Sequence, residues 1–213
     1  MYPALEAVKW VHHGTVCFEG NNKVVWVDPY EVTDAAPKAD IIIITHAHSD
    51  HYSPDDIARI MQPGTLFFTG KDVGPQLAER FGLNEENIAP LEDGEHYTLG
   101  NKLEITALPA DNKNHPRGSG FGILLRLGDF RYYLSGDTDV LARNAVCDVL
   151  FCVCDGKYNM PDPLVRAVAQ IQAMVKLPAV VVPYHFSNGD PTNGPRLAEE
   201  LNRLGIESLV LGA

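Results

Sequence analysis

The chain has 213 residues, 45% hydrophobic and 21% charged, which is enough apolar material for a sizeable globular core and argues against a fibrous or disordered protein. Its formal net charge of −11, with lysines and arginines scattered singly, excludes a broad basic face for nucleic acid. The longest apolar runs, such as residues 41–44 and 179–183, are far too short to span a membrane. Met1-Tyr2-Pro3-Ala4-Leu5-Glu6 lacks the basic and apolar stretches of a secretory signal, so a cytoplasmic, reduced setting is expected.

In chain order, strands are expected over residues 7–12, 15–19 and 23–27, with Gly20-Asn21-Asn22 as a hairpin turn. Residues 41–44 are four isoleucines, a β-branched run that reads as a strand buried on both faces. A helix follows over 54–61, with Ser53 as its cap and Pro54 at the first helical position. A strand at 65–68 and a helix at 73–81, stopped by Gly82, complete this block. Strands then recur at 95–98, 102–108, 121–126 and 130–134. The last third alternates: strand 149–153, helix 162–175, strand 179–182, helix 195–204, strand 208–211. No linker interrupts the pattern, so a single domain over 1–213 is expected, with two strand-rich blocks forming packed sheets covered by helices. Cys152 and Cys154, two apart on one strand, are too far separated for a disulfide and read as buried thiols.

The chemistry concentrates in His46-Ala47-His48-Ser49-Asp50-His51, directly after the isoleucine strand, where α/β sheets place their sites. In extended backbone, residues two apart point the same way, so His46 and His48 can grip one metal ion. Asp50 and His51 come after the chain begins to turn and can face a second. A lone loop histidine is usually just hydrogen-bonded; three with an aspartate in six positions is a ligand pattern. Imidazole and carboxylate together suit zinc, iron or manganese.

Thr45-His46-Ala47-His48-Ser49-Asp50-His51 resembles the His-x-His-x-Asp-His signature of the metallo-β-lactamase superfamily, in the branch of small metal-dependent, lactonase-like hydrolases. Val25-Trp26-Val27-Asp28-Pro29 resembles that superfamily's early strand ending in Asp-Pro. Leu134-Ser135-Gly136-Asp137-Thr138-Asp139 resembles its Gly-Asp-Thr turn, and Val181-Val182-Pro183-Tyr184-His185-Phe186 its late strand ending in a metal-binding histidine. The resemblance implies an α/β fold, a four-layer αββα sandwich with the site along one edge of the two sheets. It also implies two divalent ions, zinc first and manganese or iron as alternatives. His46, His48 and His115 would hold one ion, Asp50, His51 and His185 the other, and Asp137 would bridge them. Asp28 is expected to orient a ligand histidine, and His13 to support the site or face substrate, with a plain turn residue as its alternative.

The third histidine departs from the family pattern. The Pro109-Ala110-Asp111-Asn112 register puts an asparagine where many members carry a histidine. His115, three residues on, is the expected ligand, with a displaced, non-binding His115 as the alternative.

The implied activity is hydrolysis: a hydroxide bridging the ions attacks an ester, lactone, amide or phosphodiester of a small molecule, with Asp50 orienting it. Lys113, Arg117 and Lys157 are ordinary solvated charges unless the substrate is anionic. Secreted β-lactamase and tRNA-processing roles are disfavoured by the missing signal and the acidic charge. A diiron oxidoreductase and a non-catalytic metal-binding module of the same fold remain as alternatives. No membrane or nucleic-acid partner is expected, and a homo-oligomer is compatible with the sequence. Substrate choice falls to the loops at 30–37, 111–120 and 156–163.

Overall fold

A computed structural model describes residues 2–212, which divide into two compact units: residues 7–92, and residues 93–212 together with residues 2–6. Among the described residues each is built on a six-stranded sheet with two α-helices.

In the 7–92 unit the strands lie side by side in chain order: β1 (Val8–His12), β2 (Thr15–Gly20), β3 (Lys23–Val27), β4 (Ile41–Ile44), β5 (Leu66–Thr69) and β6 (Ile88–Pro90). β1 to β3 are antiparallel neighbours, and β3 to β6 run parallel. Asn21 and Asn22 both take positive φ, as the tight turn between β2 and β3 requires. All four isoleucines of β4 are buried, as an all-apolar strand demands. One face of the sheet packs Cys17, Trp26, Ile42, Ile44 and Phe67 against Ile57 and Ile60 of α1 (Pro54–Ile60) and Leu77 of α2 (Gly74–Phe81). Ser53 caps α1 through the amide of Asp56, and Gly82 ends α2 in the left-handed conformation. β6 is absent from the sequence reading because a three-residue edge strand ending in proline carries almost no periodic signal.

In the other unit the order is β12-β11-β10-β9-β8-β7. β7 (His96–Thr98), β8 (Leu103–Pro109), β9 (Phe121–Leu127) and β10 (Phe130–Leu134) are antiparallel neighbours. β11 (Val149–Val153) and β12 (Val180–Tyr184) add parallel to β10 and are wholly buried. Helices α3 (Pro163–Gln172) and α4 (Asn193–Arg203) bury Ala167, Val168, Ile171, Leu197 and Leu201. α3 is shorter than the 162–175 expected, and α4 begins two residues before 195.

The strand expected at 208–211 does not form; Ser208 makes one bridge to Val181. The Val181 amide donates to Glu207 O and the Leu209 amide to Val181 O, but the next donor in a parallel ladder would be the nitrogen of Pro183, which has no hydrogen. The four cysteines are buried and free, as expected for Cys152 and Cys154. Burial pushes the Cys152 thiol up to about 12, which keeps it un-ionised. Among the described residues no helix is long and apolar enough to cross a membrane.

Candidate metal centre

Strand direction decides which loops meet. β3 and β4 are parallel, and β1 runs with them because two antiparallel steps separate it from β3. The loops after β1, β3 and β4 therefore leave the same sheet edge, carrying His13, Asp28 and the His46–His51 segment. The second sheet repeats the logic. β10, β11 and β12 are parallel, and β8 agrees with them through two antiparallel steps. Their exits carry Asp137, Asp155, His185 and the 110–119 loop.

In the 7–92 unit, Asp28 is 3% exposed with φ +47°. Its Oδ1 accepts from the Thr45 amide at 2.8 Å; its Oδ2 accepts from the Thr45 hydroxyl and faces His51 Nδ1, both at 2.8 Å. A carboxylate only accepts, so the proton at His51 is on Nδ1 and the lone pair on Nε2. The Thr45 hydroxyl has spent its hydrogen on Asp28, so towards His46 Nδ1, at 3.0 Å, it can only accept. His46 thus also carries its lone pair on Nε2, 3.1 Å from His48 Nδ1. One carboxylate fixes two imidazoles in the metal-binding tautomer, one directly and one through Thr45. Asp50 lies between two rings, with Oδ2 at 3.4 Å from His13 Nε2 and Oδ1 at 4.0 Å from His51 Nε2. His13 is fully buried in a left-handed conformation, φ +47°, and its carbonyl accepts from Trp10 Nε1.

In the other unit, the turn after β10 pivots on Gly136, φ +66°, whose amide donates to Tyr184 Oη at 2.9 Å. A Cβ there would meet Phe121 O at 2.6 Å, so only glycine fits. The turn presents Asp137, 6% exposed, with Oδ1 at 3.0 Å from His185 Nε2 and Oδ2 at 3.3 Å from His115 Nε2. Thr138 ties this turn to the end of the β8 loop by accepting from the Asp111 amide at 3.0 Å. Behind His185, Asp155 Oδ2 lies 3.6 Å from Nδ1. Burial opposes protonation of His185, but the two carboxylates outweigh it and raise its pKa to about 10. Burial likewise opposes ionisation of Asp155; donors from His185, Tyr158 and Asn159 reverse this and hold its carboxyl below the usual range.

The nine residues singled out from the sequence thus fall into two clusters: His13, Asp28, His46, His48, Asp50 and His51 in one unit, His115, Asp137 and His185 in the other. His115, not Asn112, turns its Nε2 to Asp137, while Asn112 Oδ1 faces His115 Nδ1 at 3.1 Å. Asp155 and Asn159 were not foreseen. An acid at the exit of a buried parallel strand is the signal that could have found Asp155, since Asp28 stands in the same way after β3. Arg117 pairs with Asp93, and Lys157 lies over the Tyr158 ring.

The donor set fits divalent metal. The Nε2 nitrogens of His46 and His51, whose Nδ1 atoms Thr45 and Asp28 hold, and a carboxylate faced on each oxygen by a different imidazole are borderline nitrogen and oxygen ligands of the kind that bind zinc, manganese or iron.

The model of the Beta-lactamase superfamily domain matches residues 7–185. A UPF0173 metal-dependent hydrolase of Caldivirga maquilingensis is 25% identical over 91% of this chain and 90% of its own. A Parabacteroides distasonis crystal structure assigned as a metal-dependent hydrolase superposes with TM-score 0.80 at 26% identity, over 95% of this chain and 91% of that one. CmlA, a diiron β-hydroxylase of Streptomyces venezuelae, has TM-score 0.73 at 16% identity, over 96% of this chain and 52% of CmlA, a likeness of fold alone. The family match spans 7–185 and the structural match nearly the whole chain, so the fold class expected from the sequence holds. The chain belongs to the beta-lactamase superfamily, with the metallo-β-lactamase fold, among relatives named metal-dependent hydrolases.

Proposed function

We propose that this chain is a hydrolase of small molecules whose two histidine–aspartate clusters serve one pair of divalent ions, zinc in the first instance. His46, His48 and His115 would hold one ion and Asp50, His51 and His185 the other, with Asp137 as a ligand shared by both. The observation that carries this reading is the pair of imidazole nitrogens, from His185 and His115, each facing a different oxygen of the buried Asp137 carboxylate. When bound, two such ions supply a hydroxide nucleophile near neutral pH and polarise the electrophile's oxygen.

The chain's own residues do the rest. Asp28 and Thr45 hold His46 and His51 with Nε2 presented, so neither of these two rings has to turn on loading. Asp50 is 29% exposed at its side chain, unlike the buried histidine beside it, so it can meet both an ion and the incoming nucleophile. His13 supports Asp50 from the buried side.

The reading is tested by metal analysis of the purified protein, followed by a screen of the loaded enzyme against lactones, phosphodiesters, thioesters and amides. Two zinc or manganese ions with turnover of one of these classes supports it. Two redox-active irons without hydrolysis would favour a diiron oxidoreductase, and metal without turnover a binding module.

A further inference from the structure

The unit containing residues 93–212 holds a buried polar chain that nothing in the ligand set requires. Asn159, fully buried, donates from Nδ2 to Asp137 Oδ2 at 3.1 Å and to Asp155 Oδ2 at 2.9 Å. Both partners are carboxylates, so the NH2 end of this amide must face them. Its carbonyl is thereby turned to Asn112, whose Nδ2 donates to it at 2.5 Å. That in turn commits Asn112 Oδ1 to the other side, where it accepts from the Asn114 and His115 amides at 2.8 Å each and faces His115 Nδ1 at 3.1 Å. An acceptor at Nδ1 requires a proton there, so Nε2, the nitrogen turned to Asp137, is the one that would give its lone pair to an ion.

We propose that Asn159 and Asn112 form an amide relay through which the two carboxylates dictate the tautomer and ring orientation of His115. Each amide can point only one way once the previous one is set, and the first is set by groups that cannot donate. The relay ties His115 to the same carboxylates that hold His185, so both imidazoles are oriented as one unit. Both asparagines are positioning residues. The inference rests on the reading of His115, Asp137 and His185 as metal ligands.

The test is zinc affinity by competition with a chromophoric chelator, together with NMR of the ring nitrogens in the zinc-loaded protein. Asn159→Ala is expected to weaken zinc binding by about 10- to 100-fold. It should also speed solvent exchange of the His115 Nδ1 proton, although residue 159 is two hydrogen bonds away. Asn112→Ser, which breaks the relay without touching either carboxylate, should do the same and serves if the Asn159 variant does not fold. Zinc affinity within twofold of the native value and unchanged exchange in a folded variant would overturn the relay, while loss of zinc in His115→Ala would leave the ligand reading standing. A native chain that takes up no zinc would overturn the ligand reading and the relay with it.

Discussion

Asp28→Asn separates the two things this residue does, because it keeps the shape and reverses the polarity of one atom. Oδ1 still accepts from the Thr45 amide, but Oδ2, which accepts from Thr45 and His51 at 2.8 Å each, becomes an NH2 group. An N–H facing His51 requires a lone pair on Nδ1 and moves the proton to Nε2. The Thr45 hydroxyl, now an acceptor from residue 28, turns its hydrogen to His46 Nδ1 and inverts that ring as well. Stability should fall by only about 1 kcal/mol, the difference between ionic and neutral hydrogen bonds. In a domain of this size that is a Tm loss of about 2–4 °C. Asparagine also tolerates the left-handed backbone at φ +47°. Metal affinity should fall by at least 10- to 100-fold, since two ligands present a proton where a lone pair is needed. Asp28→Ala provides the contrast: the Thr45 amide and His51 Nδ1 lose their acceptor, at about 1–3 kcal/mol each, so it should be markedly less stable. Urea denaturation of the metal-free chains and chelator competition for zinc measure the two effects separately. Native zinc affinity in a folded Asp28→Asn chain would refute the tautomer argument.

Three further outcomes follow from the geometry. Asp50→Ala should abolish turnover of whichever substrate the screen finds while shifting Tm by no more than about 2 °C, because the side chain is partly exposed; residual turnover near the native rate would count against its role. In the metal-free protein the His185 pKa is raised from 6.5 to about 10, so its stabilising contribution is complete below pH 6.5 and is lost as pH rises towards 10. The stability gap between the native chain and His185→Gln, followed by urea denaturation, should therefore shrink over that window, and a gap that widens would show the sign to be wrong. Gly136→Ala should lower stability by about 2–3 kcal/mol, because its Cβ would press on Phe121 O at 2.6 Å in a left-handed conformation; a thermal melt unchanged from the native chain would mean that the turn adjusts freely.

What could be read in the sequence was what sits together along it. His46, His48, Asp50 and His51 lie within six residues after an all-isoleucine strand, so spacing and context both speak. Asp28, Asp137 and His185 each follow a strand, but they were legible through the resemblance of those strand ends to the superfamily's motifs, not from position alone. Asn159 and Asn112 were not, because their meaning lies in an approach across 47 residues between two amides that carry no spacing signal of their own. Boundaries failed where one atom decides: the missing hydrogen of Pro183 ended a ladder that the apolar pattern of 208–211 would have continued.

The most direct test of the whole account is the metal content of the native chain and of Asp137→Ala, each dialysed against zinc and measured by plasma mass spectrometry. Two ions per native chain and one or fewer in the variant are expected. A native chain holding no zinc, or an Asp137→Ala chain still holding two, would contradict the claim that this carboxylate joins a dinuclear centre.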